Sequence, residues 1–322
     1  MDLSALPPSA ATPAWSSLWS LFAWGGLLLA LWKVGKDQHT LAAGTTPPAG
    51  RRAYRALALT GFLLTWAFML VLAWQDLARY PSFGAWATQS NLFFDAYRSV
   101  TETPIAWWWS QQLMLWAPAA VLFFHAESVR QRFSYWAYAW VGMCVAISVA
   151  LPLFLMRREA QRGAEEPATA SAWLGLCLVV AASATVWVPA AQGRTLQLCL
   201  LLMHGGVLLS LLPLAPRVAS ATLLRLLYLA LGLIATLSWW QVNAALWLHT
   251  GTPVMALWTV IWNHPAQSSI SLDVMVTVTI CLVWVHRQDG RSVTLLFLLG
   301  TGLLSLGGAF CLHQLWRLRK QT

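Results

Sequence analysis

Charged residues are scarce in this chain, and their scarcity excludes the ordinary soluble protein classes. Only 10% of the 322 residues are charged, whereas soluble domains carry about a quarter. Apolar residues make up 58% of the chain, its mean hydropathy is +0.60, and 22 residues are tryptophan. Several apolar runs reach the roughly 20 residues that a membrane-spanning helix needs. The composition therefore predicts an all-α, polytopic transmembrane bundle whose main partner is the lipid bilayer.

The motifs of nucleotide-driven and hydrolytic enzymes are missing as well. The sequence contains no Walker loop, nucleophile elbow or dinucleotide-binding glycine motif. The five cysteines form no CxxC pair and the seven histidines lack metal-ligand spacing, so we predict no metal site and no particular cofactor. The net charge of +9 comes from short clusters between apolar runs, which is typical of topology signals and not of nucleic-acid binding.

Apolar runs and their breakers predict about nine helices. They lie near 14–33, 54–76, 104–126, 135–156, 170–190, 196–215, 222–248, 266–286 and 292–316. Because Pro152 should disrupt the fourth run, we expect that helix to break or bend there. Two aromatic-rich pieces, 83–100 and 253–264, are too short to span a bilayer.

The charged segment 157–169 divides the chain into two halves in this interpretation. We expect it to be an exposed linker between a first transmembrane half, 1–160, and a second, 170–322. Nine alternating crossings would place 11 of the 20 Lys and Arg residues on one side and 9 on the other, which leaves the positive-inside rule nearly balanced. The basic cluster after the first helix favours a cytoplasmic C-terminus in a bacterial inner membrane.

The two halves contain a degenerate internal repeat. Sliding 104–128 onto 265–289 aligns a proline, a serine and a histidine of each segment, and it places Gln112 on Asp273. These few identities do not establish a repeat by themselves, because the composition is so biased.

Four short motifs add to this repeat. The second half contains Trp-Gln-Val-Asn at 240–243 and Asn-His-Pro-Ala-Gln-Ser-Ser-Ile-Ser-Leu-Asp at 263–273. The first half contains Glu127-Ser-Val-Arg130 and Pro-Leu-Phe-Leu-x-Arg at 152–157. In these motifs the chain resembles a family of small bacterial membrane proteins catalogued as a domain of unknown function. The resemblance implies two degenerate copies, at 56–160 and 222–318, and brings no activity with it.

The helix count also has a consequence for symmetry. If all nine runs cross the membrane, two helices separate the copies, and the copies would enter the membrane in opposite senses. Inverted repeats place binding sites at their mutual interface in many transporters.

Asp273 is the main candidate for a catalytic residue. An acidic group within a spanning segment costs at least about 2.5–3.5 kcal/mol on insertion scales, so it needs a partner, water or a functional role. Ser269 and Thr277 lie on the same helical face, and we predict that they bind a ligand with it. The alternatives are a helix-start residue that complements the helix dipole and a residue that orients a partner subunit.

Three amide side chains complete the predicted site. Gln111 and Gln112 follow three consecutive tryptophans, and Asn243 lies at the end of the seventh predicted helix. Each could bind a ligand, and each could instead form hydrogen bonds between membrane helices. We expect Asn243 or Gln112 to be the hydrogen-bond partner of Asp273.

Three functions agree with these features. The first is an intramembrane polar and aromatic pocket that binds or processes an apolar small molecule, isoprenoid-like or lipid-like, since tryptophan faces and a buried carboxyl suit such chemistry. The second is a non-catalytic subunit or assembly factor of a larger membrane complex, and the third is a secondary transporter. The sequence does not decide whether the protein is an enzyme.

Overall fold

A computed structural model describes residues 15–43, 50–161, 166–212, 220–249 and 253–320. Thirteen α-helices form within these residues, which confirms the all-α class. They are α1 (Trp15–Ala43), α2 (Arg51–Leu77), α3 (Phe83–Gln89), α4 (Leu92–Ser99), α5 (Pro104–Gln131), α6 (Trp136–Cys144), α7 (Ile147–Ala160), α8 (Ala172–Trp187), α9 (Gly193–Ser210), α10 (Ala221–His249), α11 (Pro253–Val260), α12 (Pro265–Asp289) and α13 (Arg291–Arg319). The count of nine is not confirmed, because short helices fill the connecting pieces and one expected span is divided.

The divided span is the run predicted at 135–156. Its break lies at Val145–Ala146, where Ala146 is extended (φ −172°, ψ 147°), and not at Pro152 as we expected. Pro152 lies inside α7, where its missing N–H removes one intrahelical hydrogen bond. The proline is therefore tolerated, and the chain turns before it.

Helices α6 and α7 form a hairpin that enters the bundle and turns back. The rings of Tyr138 near the start of α6 and Phe154 in α7 have centroids 5.6 Å apart. In one continuous helix, 16 residues would separate these positions by about 24 Å. Gly142 also packs against Ala150, since a Cβ built on the glycine would lie 3.4 Å from the alanine Cβ. We call α6 and α7 the first hairpin.

Helix α13 contains a second hairpin of the same kind. Ser305 has φ 73° and ψ 167°, which interrupts the helix between one arm, 291–304, and another, 306–319. The rings of Phe297 and His313, again 16 residues apart, have centroids at 5.9 Å. A Cβ built on Gly300 would lie 3.2 Å from the Cβ of Ala309. These two arms are the second hairpin.

Both hairpins start and finish at the same end of the bundle. Tyr54, at the start of α2, donates a hydrogen bond of 3.1 Å to Glu159 at the end of α7. Arg287, near the end of α12, pairs with the same Glu159 at 3.3 Å. Arg317, near the end of α13, faces Glu127 near the end of α5. We call this the basic end.

The opposite end holds the short helices α3 and α4. Asp76, near the end of α2, accepts a hydrogen bond of 2.8 Å from the Trp86 indole in α3. Ser99, in α4, contacts His264 just before α12 at 3.3 Å. Helices α2, α5 and α12 therefore connect the two ends, whereas each hairpin reaches only the middle.

The two copies of the repeat are consequently parallel. Helix α10 also starts at the basic end, where Arg225 donates a hydrogen bond of 3.3 Å to the carbonyl of Leu318. The expectation of inverted copies was wrong, because it counted the first hairpin as a crossing. A hairpin returns the chain to the end from which it came, so an even number of crossings separates the copies.

Within the described residues, five helices have the length and apolar composition of membrane spans, namely Arg51–Leu77, Ala172–Ala190, Ala221–Leu248, Pro265–Asp289 and Arg291–Arg319. The last of these turns back at Ser305 despite its composition. An aromatic core that includes Trp116, Phe123, Trp284 and Phe310 fills the space between the hairpins. Residues 157–160 of the expected linker form the last turn of α7, and 162–165 lie outside the described residues.

Candidate functional site

Each hairpin starts a helix among buried residues in the middle of the bundle. The first N–H groups of any helix lack intrahelical partners and need acceptors from elsewhere. Helix α7 follows Ala146, whose side chain can accept no hydrogen bond. In the second hairpin, Ser305 caps its own helix, because its hydroxyl accepts a hydrogen bond of 3.1 Å from the N–H of Gly308. The first hairpin thus depends more on other elements.

Asp273 supplies the acceptor for α7. Its Oδ1 accepts a hydrogen bond of 3.0 Å from the backbone N–H of Ser148. The hydroxyls of Ser148 and Thr277 also face the carboxylate, although neither meets hydrogen-bond geometry. A negative charge at a helix N-terminus is favoured by the helix dipole. The acid in the apolar helix α12 therefore has a structural role at the start of a neighbouring helix.

Gln112 occupies the matching position in the other copy. Its Oε1 accepts a hydrogen bond of 2.8 Å from the N–H of Leu306, the first residue after the turn at Ser305. The alignment that placed Gln112 on Asp273 therefore pairs two residues with the same contact. Neither bonds to the other, and Asn243 bonds to neither of them, so the partner expected for Asp273 was wrong.

The carbonyl groups before each turn are paired in a matched way too. The indole N–H of Trp66 in α2 donates to the Val145 carbonyl at 3.2 Å. The indole N–H of Trp240 in α10 donates to the Leu303 carbonyl at 2.8 Å. Each tryptophan belongs to the same copy as the hairpin it contacts, whereas Asp273 and Gln112 each contact the hairpin of the other copy. At each turn, one hydrogen bond comes from the same copy and one from the other copy.

A cavity of about 330 Å³ lies beside the turn of the second hairpin. Its lining residues come from α5, α10, α12 and α13, and they are mostly aromatic or aliphatic: Trp108, Trp109, Gln112, Trp239, Val274, Met275, Val278, Thr301, Gly302 and Leu306. The volume lies in the range of small-molecule pockets, about 300–1,000 Å³. Gly302 is exposed, so the cavity opens to the outside of the bundle beside it.

Hydrogen bonds hold the three cavity tryptophans in place. The indole N–H groups of Trp108, Trp109 and Trp239 donate to Asn243 Oδ1 at 3.1 Å, to the Leu257 carbonyl at 2.9 Å and to the Gly302 carbonyl at 3.0 Å. Their N–H donors are therefore all engaged by other groups of the protein.

Gln112 and Thr301 contribute the polar side chains of the cavity. The Oε1 of Gln112 is engaged by Leu306, and its Nε2 forms no hydrogen bond within the described residues. The cavity lining therefore combines three tryptophans with one amide donor and one hydroxyl.

The remaining predicted site residues are dispersed. Gln111 is buried and accepts a hydrogen bond of 3.0 Å from Ser238 in α10, which is a helix–helix contact. Asn243 accepts a hydrogen bond from the Trp108 indole, and its Nδ2 donates to the Trp239 carbonyl at 2.8 Å. Ser269 is buried on the helix that carries Asp273. None of these three residues, nor Asp273 or Thr277, lines the cavity.

Sequence reasoning missed the hairpin turns and the residues that contact them. The sequence held one signal for the second hairpin, namely four glycines within nine residues, at 300, 302, 307 and 308. Glycine at that density inside an apolar run argues against an uninterrupted helix. The first hairpin has no equivalent signal at Val145–Ala146.

The comparisons with known proteins agree with the internal repeat. A family model described as protein of unknown function DUF2834 matches residues 53–160 and again residues 227–317. The two matched regions cover more than half of the chain and confirm the two copies expected at 56–160 and 222–318. Neither the curated proteins nor the solved structures contain a match to this chain.

Proposed function

This chain belongs to the DUF2834 family, from which no activity can be inherited, and we propose that it is an integral membrane protein that binds a lipophilic small molecule. The observation that carries the proposal is the cavity beside the second hairpin, with three tryptophans in its lining. Aromatic faces and one amide donor suit an apolar molecule with a single hydrogen-bond acceptor, such as the carbonyl or hydroxyl of an isoprenoid-like or other lipid-like compound.

Binding is favoured over catalysis because the cavity contains no acid or base. Its lining includes no Asp, Glu, His, Lys or Arg side chain, and proton transfer or carbocation chemistry would need one at the reacting atom. A catalytic role for Asp273 stays a hypothesis, and its contact with α7 supports a structural role instead. The transporter alternative loses its argument from inverted copies, because the copies are parallel.

Mass spectrometry of the detergent-purified protein tests the proposal. We expect a small apolar molecule to be extracted in stoichiometric amount. Val278→Trp places an indole in the cavity and should abolish this binding, because Val278 lines the space. Thr279→Trp is the matched control, since Thr279 is the next residue on the same helix and is exposed, so its binding should be unchanged.

A third variant tests the single amide donor. Gln112→Met removes the Nε2 donor at similar volume, so binding should weaken. Because it also removes the acceptor for the N–H of Leu306, its unfolding temperature is measured alongside. A purified wild-type protein with no extractable molecule would refute the proposal. Co-purification of another polypeptide with an empty cavity would favour the subunit alternative.

A further inference from the structure

The cavity beside the second hairpin lies at about half the height of the bundle. Val278, which lines it, is about as far from the start of α12 at Pro265 as from its end at Asp289. At 1.5 Å per residue the two separations are about 20 Å and about 16 Å. Because the hydrocarbon core of a bilayer is about 30 Å thick, the cavity lies near the centre of the membrane.

The mouth of the cavity is surrounded by apolar surface. Gly302 is exposed at the mouth, and Leu299 and Leu303, on the same side of the first arm, are 64% and 67% exposed. No residue of 292–304 is charged, and neither is any residue of 274–285 in α12. The cavity therefore opens sideways into the hydrocarbon region and not toward water.

The first arm of the second hairpin is attached to α10 and not to α12. The side chains of Thr236, Trp239 and Trp240 in α10 donate hydrogen bonds to the last three carbonyls of the arm, 302–304. By contrast, no hydrogen bond joins the arm to residues 274–285 of α12, all of which the structure describes. The arm can therefore separate from α12, beside the cavity, without breaking a hydrogen bond.

The cavity is too small for a whole lipid. Its volume of about 330 Å³ is near the lower limit of small-molecule pockets, about 300–1,000 Å³. A ring-sized group fits this space, whereas a long hydrocarbon chain has to leave through the mouth. The exposed leucines beside the mouth provide apolar surface for one such chain.

The polar side chains of the lining select the chemistry of that ring. The Nε2 of Gln112 is a donor without an acceptor in the part of the chain that the structure describes, since only its Oε1 is engaged. The hydroxyl of Thr301 donates its proton to the Leu298 carbonyl at 2.7 Å, so only its oxygen is available. The lining contains no cation, and an unpaired anion at this depth is strongly unfavourable. An uncharged ring with a carbonyl group therefore suits the cavity.

We propose that the cavity binds an uncharged lipid with one tail and a carbonyl-bearing ring, such as a long-chain quinone, and that this ligand enters from the middle of the bilayer between α12 and the first arm. A quinone dissolves in the hydrocarbon core, and its carbonyl oxygens accept hydrogen bonds and donate none. The charged head groups of phospholipids stay at the membrane surface and do not reach this depth. The inference rests on the proposed function, because it names the ligand class of the same cavity.

Quenching of tryptophan fluorescence by decylubiquinone, a quinone with a decyl tail, tests the ligand class in nanodiscs of phosphatidylcholine. Quenching should saturate at a single quinone per protein, and Val278→Trp should abolish the saturable part. Decylbenzene has the tail and a ring but no carbonyl, so in competition it should bind about threefold to tenfold more weakly. In Gln112→Met the two molecules should bind equally, because the donor to the carbonyl is gone. A merely structural role of Gln112 would leave their ratio as in the wild type and would overturn the assignment.

A variant at the mouth tests the route. A Cβ added to Gly302 meets no atom within 4 Å, so Gly302→Leu should fold normally while its side chain obstructs the opening. The association rate of decylubiquinone, followed by stopped flow, should fall about tenfold. Gly205→Leu is the matched control, because Gly205 in α9 has equally open surroundings and does not line the cavity. Its association rate should equal that of the wild type.

This inference and the proposed function can fail separately. If an apolar molecule is extracted from the wild type but decylubiquinone does not bind saturably, the quinone class is overturned and the binding function stands. Displacement of decylubiquinone by phosphatidylglycerol added to the nanodiscs, or an unchanged association rate in Gly302→Leu, would also overturn the inference. A wild-type protein that yields no extractable molecule and binds no quinone would refute both.

Discussion

Removing the carboxylate of Asp273 should destabilise the first hairpin by an amount that its contacts set. Asp273→Leu leaves the N–H of Ser148 buried without an acceptor and removes the charge at the start of α7. A hydrogen bond to a charged group contributes about 1.5–3 kcal/mol, and a charge at a helix end adds about 0.3–1 kcal/mol. The sum is about 2–4 kcal/mol. Asp273→Asn keeps an oxygen for Ser148 but replaces a charged acceptor with a neutral one, so it should cost about 1–2 kcal/mol, less than Asp273→Leu.

The assay is the temperature of half-unfolding in mild detergent, followed by tryptophan fluorescence. Each kcal/mol should lower this temperature by about 2 °C in a protein of this size. Thr279→Leu is the matched control, because Thr279 lies on the exposed face of α12 and its hydroxyl bonds only to its own helix. It should unfold like the wild type.

Gln112→Leu provides an internal comparison. It removes the equivalent acceptor from the second hairpin, but Ser305 still caps that helix and the lost bond is neutral. It should therefore cost less than Asp273→Leu, and the two losses should add because they act at different turns. The structural role would be refuted if Asp273→Leu unfolded at the wild-type temperature, or if Asp273→Asn were as unstable as Asp273→Leu.

Two further predictions concern the hairpins. In a cysteine-free background, Arg291→Cys and Arg319→Cys should react with a membrane-impermeant maleimide from the same face of the membrane, because both arms of the second hairpin end there. Labelling of the two cysteines from opposite faces would instead show that the helix spans the membrane. Trp66→Phe and Trp240→Phe each remove an indole donor from a turn carbonyl, and each should lower stability by about 1 kcal/mol in the same unfolding assay. Trp247→Phe, an exposed substitution on α10, should have no effect.

The class of the protein could be predicted from the sequence because apolar length and low charge are local properties. The equivalence of Gln112 and Asp273 in the two copies could also be predicted, since a fixed offset within the chain aligns them. The hydrogen-bond partners of these two residues could not be predicted from the sequence. Asp273 contacts a backbone N–H that lies 125 residues away, and every residue type except proline can supply such a donor. No pattern of side chains could therefore identify Ser148.

The hairpins could not be predicted from hydropathy, for a related reason. A helix that turns back inside the bundle needs as many apolar residues as one that crosses, because both are surrounded by protein and lipid. The arms of α13 satisfy the criteria for a span although they do not cross. Only contacts between the arms, such as Phe297 with His313, distinguish the two cases. The cavity beside that turn could not be predicted from the sequence for the same reason.

Asp273 and Gln112 each accept a hydrogen bond at the start of a helix in the other copy. This exchange has a consequence for chains that contain only one copy of the repeat. A chain with only one copy would leave the start of its own half-helix without an acceptor, because its acidic residue points away from its own hairpin. Two such chains would correct this by forming a two-fold homodimer in which each aspartate caps the half-helix of its neighbour. In a tandem chain such as this one, the two caps can change independently, so one has an amide in place of the acid. Because the two copies are covalently linked, one position can keep the acid, Asp273, while the equivalent position carries the neutral Gln112 and borders the cavity.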